Sequence, residues 1–182
     1  MEDLSLHILD IVENSVAVGA SCVEIRIRES RRVNILAIEI ADNGPGISPE
    51  ALHKAADPFF TTRTTRRVGL GLPLFRQAAK AAGGEFRIDS IPGAGTRVTG
   101  VFQHDHIDRQ PLGDMAATLL TLVIGHPEIE FEYLHRTDDQ EVAFSTRQLK
   151  SRLGDIPISS AAGIAAVREN LERLGNCAVS RA

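Results

Sequence analysis

The sequence predicts an α+β fold in which helices cover a layer of strands, and three observations lead there. Strand-like segments come as adjacent pairs, residues 22–29 with 33–41 and residues 85–91 with 96–103, each closing as an antiparallel hairpin. Before and between those pairs the apolar spacing changes from two residues to about 3.6, the period of a helix packed on one side. A strand pair at each end with helices between them suits helices segregated to one face of a sheet.

Leu4, Ile8, Ile11, Ser15 and Val18 recur at helical spacing, so residues 3–18 read as an amphipathic helix ending near Gly19. The hairpin 22–29/33–41 turns through Ser30-Arg31-Arg32. DNGPGIS (42–48) is loop by its turn residues, and a short helix over 48–55 starts with Ser48 as cap and Pro49 at its first position. TTRTTRRVG (61–69) has no apolar period and reads as a mobile loop. A helix over about 70–82 carries Pro73 in its first turn and closes at Gly83-Gly84. The second hairpin turns through Pro92-Gly93-Ala94-Gly95.

HDHIDRQ (104–110) marks a boundary between a domain at 1–103 and a small α+β extension at 104–182. The extension reads as a helix (114–125), a hairpin (128–136 and 141–146), a short helix (147–153) and a last helix from Ser159 or Ser160. That helix places Ile164, Val167, Leu171 and Leu174 at core-facing spacing. The hairpin either packs on the first domain or presents a docking face.

Composition narrows the function classes. With 43% hydrophobic and 24% charged residues the chain has the make-up of a globular protein. A formal net charge of −4 removes the electrostatic reason to expect nucleic acid. No apolar run reaches the roughly 18 residues that span a bilayer, and Glu2 and Asp3 are unlike a signal peptide, so a cytoplasmic protein without membrane contact is expected. Cys22 and Cys177 are far apart and outside any metal-ligand spacing.

Several positions carry chemistry. Asp42 follows a hydrophobic strand, where its carboxylate can accept from an exocyclic amine such as adenine offers, while Gly44 and Gly46 let backbone approach a flat ligand; alternatively Asn43-Gly44 is simply a tight turn. Asp10 and Asn14, four apart, share a helix face that is otherwise apolar. Either a hydrated magnesium ion engages the Asn14 amide oxygen while Asp10 orients a water, or neighbouring backbone satisfies both. His7, two turns before Asn14, is a phosphate contact or a rim residue. Gly69-Leu70-Gly71-Leu72 opens a helix whose free amides suit anionic oxygens, with Arg63, Arg66 and Arg67 in the preceding loop able to close over them or to remain solvated. Gly93, Gly95 and Thr96 make a hairpin turn, and His104, Asp105, His106 and Asp108 either bind metal or form a solvated boundary.

In their order, these segments resemble the gyrase, Hsp90, histidine-kinase and MutL superfamily of ATP-binding domains. Glu13-Asn14-Ser15 with Gly19-Ala20-Ser21 is similar to the N box, ADNGPGIS to the first glycine box, DPFFTT (57–62) with GLGL to the F box and second glycine box, and GAGT to the final box. The resemblance spans about residues 4–103. It implies a Bergerat-type two-layer α/β sandwich, a mixed sheet with helices on one face, binding ATP and Mg2+. It makes Asn14 the magnesium ligand, Asp42 the adenine-amine acceptor, Gly44 and Gly46 the walls of the base pocket, Gly69 and Gly71 the hinges of a lid, and Thr96 the support of a water beside Asp42. Ile47, Phe60, Thr61, Arg67, Leu70 and Leu72 join the nucleotide-binding set.

Two departures shape the expected activity. Asp10 stands where hydrolysing members usually carry a glutamate base, so turnover is expected to be slow. Only a few residues precede the N box in this sequence, so autophosphorylation on an upstream phosphoacceptor histidine is not expected. The expectation is an Mg-ATP-binding regulatory module, a slow ATPase or ATP-dependent switch exchanging ATP and ADP and acting on an unidentified regulatory protein, with a homodimer possible. The alternatives are a protein kinase acting in trans, like the anti-sigma serine kinases, and a non-catalytic interaction domain.

Overall fold

The structure, a computed structural model, describes residues 3–50 and 71–179, with residues 174–179 as backbone only. Its elements are α1 (Leu4–Ala17), β1 (Cys22–Ser30), β2 (Ile35–Asp42), α2 (Gly71–Ala81), β3 (Glu85–Ile91), β4 (Gly95–Gln103), α3 (Met115–Gly125), β5 (Glu130–Arg136), β6 (Glu141–Ser145), α4 (Thr146–Leu153) and α5 (Ala161–Val179). Among the described residues the six strands form one mixed sheet in the order β3-β4-β2-β1-β5-β6.

Alternation decides which face of the sheet is covered. Val23, Ile25 and Ile27 of β1, Leu36, Ile38 and Ile40 of β2, Val98 and Phe102 of β4, and Phe131 and Tyr133 of β5 all point to one side and are buried. They share a single core with Ile8 and Val12 of α1, Phe75 and Ala79 of α2, Leu119 and Leu122 of α3 and Val167 and Leu171 of α5. The other side carries Arg26, Glu39, Arg97 and their ion pairs. This is the expected two-layer α/β sandwich. Phe75 anchors α2, packing against Phe86, Phe102 and the ring of His7 at centroid separations of 6.1, 5.7 and 5.8 Å. Burial of such a side chain is worth about 2–3 kcal/mol.

Residues beyond 104 build into the same sheet. β5 pairs parallel with β1, Val23 opposite Phe131 and Ile25 opposite Tyr133, and β6 closes the edge antiparallel to β5. β2 starts at Ile35, two residues later than expected, because Asn34 takes a left-handed turn conformation (φ 55°). Asp138, in the β5–β6 turn, holds that connection by accepting from Ser30 Oγ and from the amides of Arg31 and Arg32. Beyond residue 50, the short helix expected over 48–55 lies outside the described residues. Among the described residues no helix is long and apolar enough to cross a membrane.

At the far end of β1, Glu29 sits between two imidazoles, with Oε1 2.6 Å from His104 Nε2 and Oε2 3.4 Å from His135 Nε2. The latter is an electrostatic contact without hydrogen-bond alignment. The nearness of His135, opposed by burial and reinforced by His104, lowers the Glu29 carboxyl from 4.5 to about 2. A depressed carboxyl contributes stability above its unfolded value, so this contribution is complete above pH 4.5 and fades as pH falls towards 2. We expect Glu29→Gln to lower stability at pH 7 by on the order of 2 kcal/mol, with the deficit shrinking across that window. Urea unfolding at pH 7, 4.5 and 3 checks it, and a deficit constant with pH would contradict it.

Candidate functional site

Three neighbouring strands place one polar side chain each in a single row on the helix-covered side: Ser90 of β3 opposite Thr96 of β4, and Thr96 opposite Asp42 of β2. Asp42 ends β2 and faces α1. Its Oδ2 accepts from Ser15 Oγ at 2.7 Å, and its Oδ1 accepts from the Gly44 amide at 2.9 Å and the Thr96 amide at 3.3 Å. A carboxylate held by three donors cannot swing away, and its remaining lone pairs are acceptors only.

The DNGPGIS loop is tied down on both sides. The Asn43 side-chain oxygen accepts from the amides of Ser21 and Cys22, and its amide group donates to Ser21 Oγ, binding the loop to the GAS segment that follows α1. On the other side the Gly93 amide donates to the Pro45 carbonyl at 2.7 Å, and the Ile47 amide donates to Ser90 Oγ at 2.8 Å. The loop thus bridges two strand connections, a larger role than the tight turn offered as its alternative.

Asp10, Asn14 and the start of α2 come together. A methyl group built on Gly71 would lie 2.0 Å from Asp10 Oδ2 and 3.5 Å from Asn14 Nδ2, so a larger residue there would have to displace the Asp10 carboxylate from its place beside α2. Both are half-buried, as is Leu72, which packs against the core. The arrangement puts a carboxylate and an amide beside the N-terminus of an 11-residue helix, where backbone N–H groups and the helix dipole favour anions.

His7 corrects both readings offered for it. It is 2% exposed, with Nε2 3.0 Å from Gln110 Oε1, and burial lowers its pKa. It therefore belongs to the α1–α2 packing and not to a phosphate site or a rim. Phe60, Thr61, Arg63, Arg66, Arg67, Gly69 and Leu70 lie outside the described residues.

The His104–Asp108 run lies at the opposite end of the sheet, where His104 meets Glu29, Asp105 accepts from Asn34, and the His106 ring accepts from the Asp108 amide. Among the described residues no group of three His, Cys, Asp or Glu is arranged to hold a metal ion. Burial pushes the Cys22 thiol up, away from a reactive thiolate. A groove of about 460 Å3 on the open face of the sheet, between β1, β5 and β6, contains none of the expected site residues.

Two participants escaped the sequence reading. Ser15 counts as a member of the α1 apolar stripe, yet a hydroxyl in such a stripe needs a partner, and Asp42 is that partner. Ser90 follows Phe86 and Ile88 in alternation, which turns it to the helix-covered side, and that alternation was the available signal.

The model of the family of histidine kinase-, DNA gyrase B- and HSP90-like ATPases matches residues 2–106, more than half of the chain. The chain belongs to this family. Among sensor kinases it is 36% identical over 92 residues to the sensor protein kinase FleS of Pseudomonas aeruginosa, covering 50% of this chain and 23% of that one. To the signal transduction histidine-protein kinase AtoS of Escherichia coli it is 38% identical over 99 residues, covering 54% and 16%. The chain thus spans less than a quarter of these curated relatives. A crystal structure of the N-terminal domain of a DNA repair protein superposes with a TM-score of 0.58 at 18% identity, covering 87% of this chain and 59% of that one, a likeness of fold. The row of Asp42, Thr96 and Ser90 and the approach of Gly71 to Asp10 and Asn14 thus lie within the residues matched to this ATPase family.

Proposed function

We propose that the chain is an Mg-ATP-binding regulatory module, a slow ATPase or ATP-dependent switch that acts on a protein partner in the cytoplasm. The observation that carries this reading is Asp42, a carboxylate fixed by Ser15, Gly44 and Thr96 at the end of an inner strand of an ATPase-family sheet. Such a group accepts from the adenine amine. Gly44, Gly46 and Ile47 line the base side, Gly71 and Leu72 present the start of α2 to the phosphates, and Asn14 supplies an oxygen ligand to a hydrated magnesium ion. Phe60, Thr61, Arg67, Gly69 and Leu70 complete the set on the family pattern. Asp10, beside Asn14 and Gly71, orients or deprotonates the attacking water, at a low rate because its carboxylate is one methylene shorter than the usual glutamate. ATP in place of ADP then changes the surface offered to the partner.

Isothermal titration with ATP and Mg2+ tests the reading, and absence of binding overturns it. Asn14→Ala is expected to lower affinity for Mg-ATP by on the order of tenfold while leaving metal-free ATP binding nearly unchanged. Equal losses with and without metal would remove Asn14 as the ligand.

The sensor-kinase relatives favour a second reading, phosphotransfer in trans to another chain. Radiolabelled ATP incubated with candidate partners separates the two: label on protein supports the kinase, and free phosphate alone supports the ATPase.

A further inference from the structure

We propose that Ser90 is a specificity-determining positioning residue: it takes up the proton of the Thr96 hydroxyl and so makes the polar row beside the base acceptor-only. The inference rests on the reading of Asp42 as the group that recognises the purine, and it adds a residue that never touches the ligand.

The argument is an accounting of protons. Ser90 Oγ has one proton and two lone pairs. Its proton goes to the Gly95 carbonyl at 3.1 Å, and one lone pair accepts the Ile47 amide at 2.8 Å. The remaining contact is Thr96 Oγ1 at 2.9 Å. With the Ser90 proton committed, this bond forms only if Thr96 donates. Thr96 then keeps lone pairs and nothing else for a ligand or a bridging water. Its amide already donates to Asp42 Oδ1 at 3.3 Å, so the carboxylate and the hydroxyl stand side by side, both acceptors.

The edge presented is therefore matched to a donor. Adenine offers an amine there, whereas guanine offers its carbonyl oxygen, which would meet lone pairs on both neighbours. Asp42 alone leaves an adjustable partner beside it, since a free threonine hydroxyl rotates and donates to whatever acceptor arrives. Ser90 removes that freedom by occupying the proton. Its three bonds link three elements, the DNGPGIS loop through Ile47, the β3–β4 turn through Gly95, and the row itself through Thr96.

The experiment compares ATP and GTP dissociation constants by titration calorimetry for the wild-type chain, Ser90→Ala, Thr96→Val and the double variant, with circular dichroism confirming that each folds. Ser90→Ala is expected to lower the preference for ATP over GTP by about tenfold, chiefly through tighter GTP binding, while ATP affinity changes a few-fold. In the Thr96→Val background the same substitution is expected to leave the preference unchanged, because no hydroxyl remains to be set. Ser90→Cys, which keeps the side-chain size and loses the strong acceptor, is expected to behave as Ser90→Ala and serves in its place should that variant not fold. An unchanged preference in the folded Ser90 variant, an equal loss of ATP and GTP affinity, or the same shift with and without the Thr96 hydroxyl overturns the inference while the reading of Asp42 stands. Failure of the wild-type chain to bind ATP overturns both.

Discussion

Asp42→Ala is expected to lower ATP affinity by on the order of 100-fold while the protein remains folded. The estimate combines two losses: a charge-assisted hydrogen bond to the ligand, worth about 1.5–3 kcal/mol, and the disorder of a loop whose Gly44 amide no longer has its acceptor. Ser15 Oγ and the Thr96 amide lose their partner as well, but Ser15 Oγ keeps the Ile11 carbonyl at 3.4 Å as a second acceptor, which limits the cost to the fold. Asp42→Asn is the sharper version. With Oδ1 still accepting from Gly44 and Thr96, its amide nitrogen takes the place of the acceptor Oδ2 and donates. Affinity for ATP falls and affinity for GTP rises, inverting a preference set by one hydrogen-bonding pattern. Titration of both variants with both nucleotides reads the result, and ATP affinity within threefold of wild type in Asp42→Ala would remove the carboxylate from recognition.

The fold was legible in the sequence wherever pairing is local. Each hairpin shows its own alternation and its own turn, and the observed strands begin and end within two residues of the positions read from those signals. The parallel pairing of β1 with β5 was not legible, because Cys22 and Glu130 are far apart in the chain and the alternation of Phe131 and Tyr133 suits any neighbour in a half-buried sheet. The start of β2 was misplaced for the same kind of reason. Val33 has the β-branched side chain of a strand residue, but Asp138, from the other end of the chain, holds the preceding amides in a turn.

The site divides similarly. Asp42, Gly44, Gly46 and Gly71 stand out because a carboxylate after an apolar strand and glycines in polar loops are unusual local choices. Ser15 and Ser90 do not, since a serine is unremarked in any helix or strand until a partner from another element faces it. His7 is buried against Phe75 of α2 and bonded to Gln110, contacts that no local pattern announces.

Gly46→Ala is expected to remove ATP binding and to lower the midpoint of thermal unfolding by several degrees. Two costs add. Gly46 has φ +70°, a conformation that an L-residue reaches at about 1–2 kcal/mol. A methyl group there would also lie 2.2 Å from the Ile91 carbonyl oxygen and 3.1 Å from Pro92 Cα, both backbone positions that no rotamer change can relieve. The loop must then separate from the β3–β4 turn, which strains the Pro45–Gly93 and Ile47–Ser90 bonds beside the proposed base pocket. A loss on the order of 3 kcal/mol follows, about 6–12 °C in a chain of this size. Gly93→Ala is the matched control: φ is +79°, but nothing lies within 4 Å of the added methyl, so it carries the backbone strain without the collision. Calorimetric scans and ATP titrations of the two variants separate the terms. Equal destabilisation with ATP binding kept in both would show that the approach of Gly46 to Ile91 does not shape the pocket.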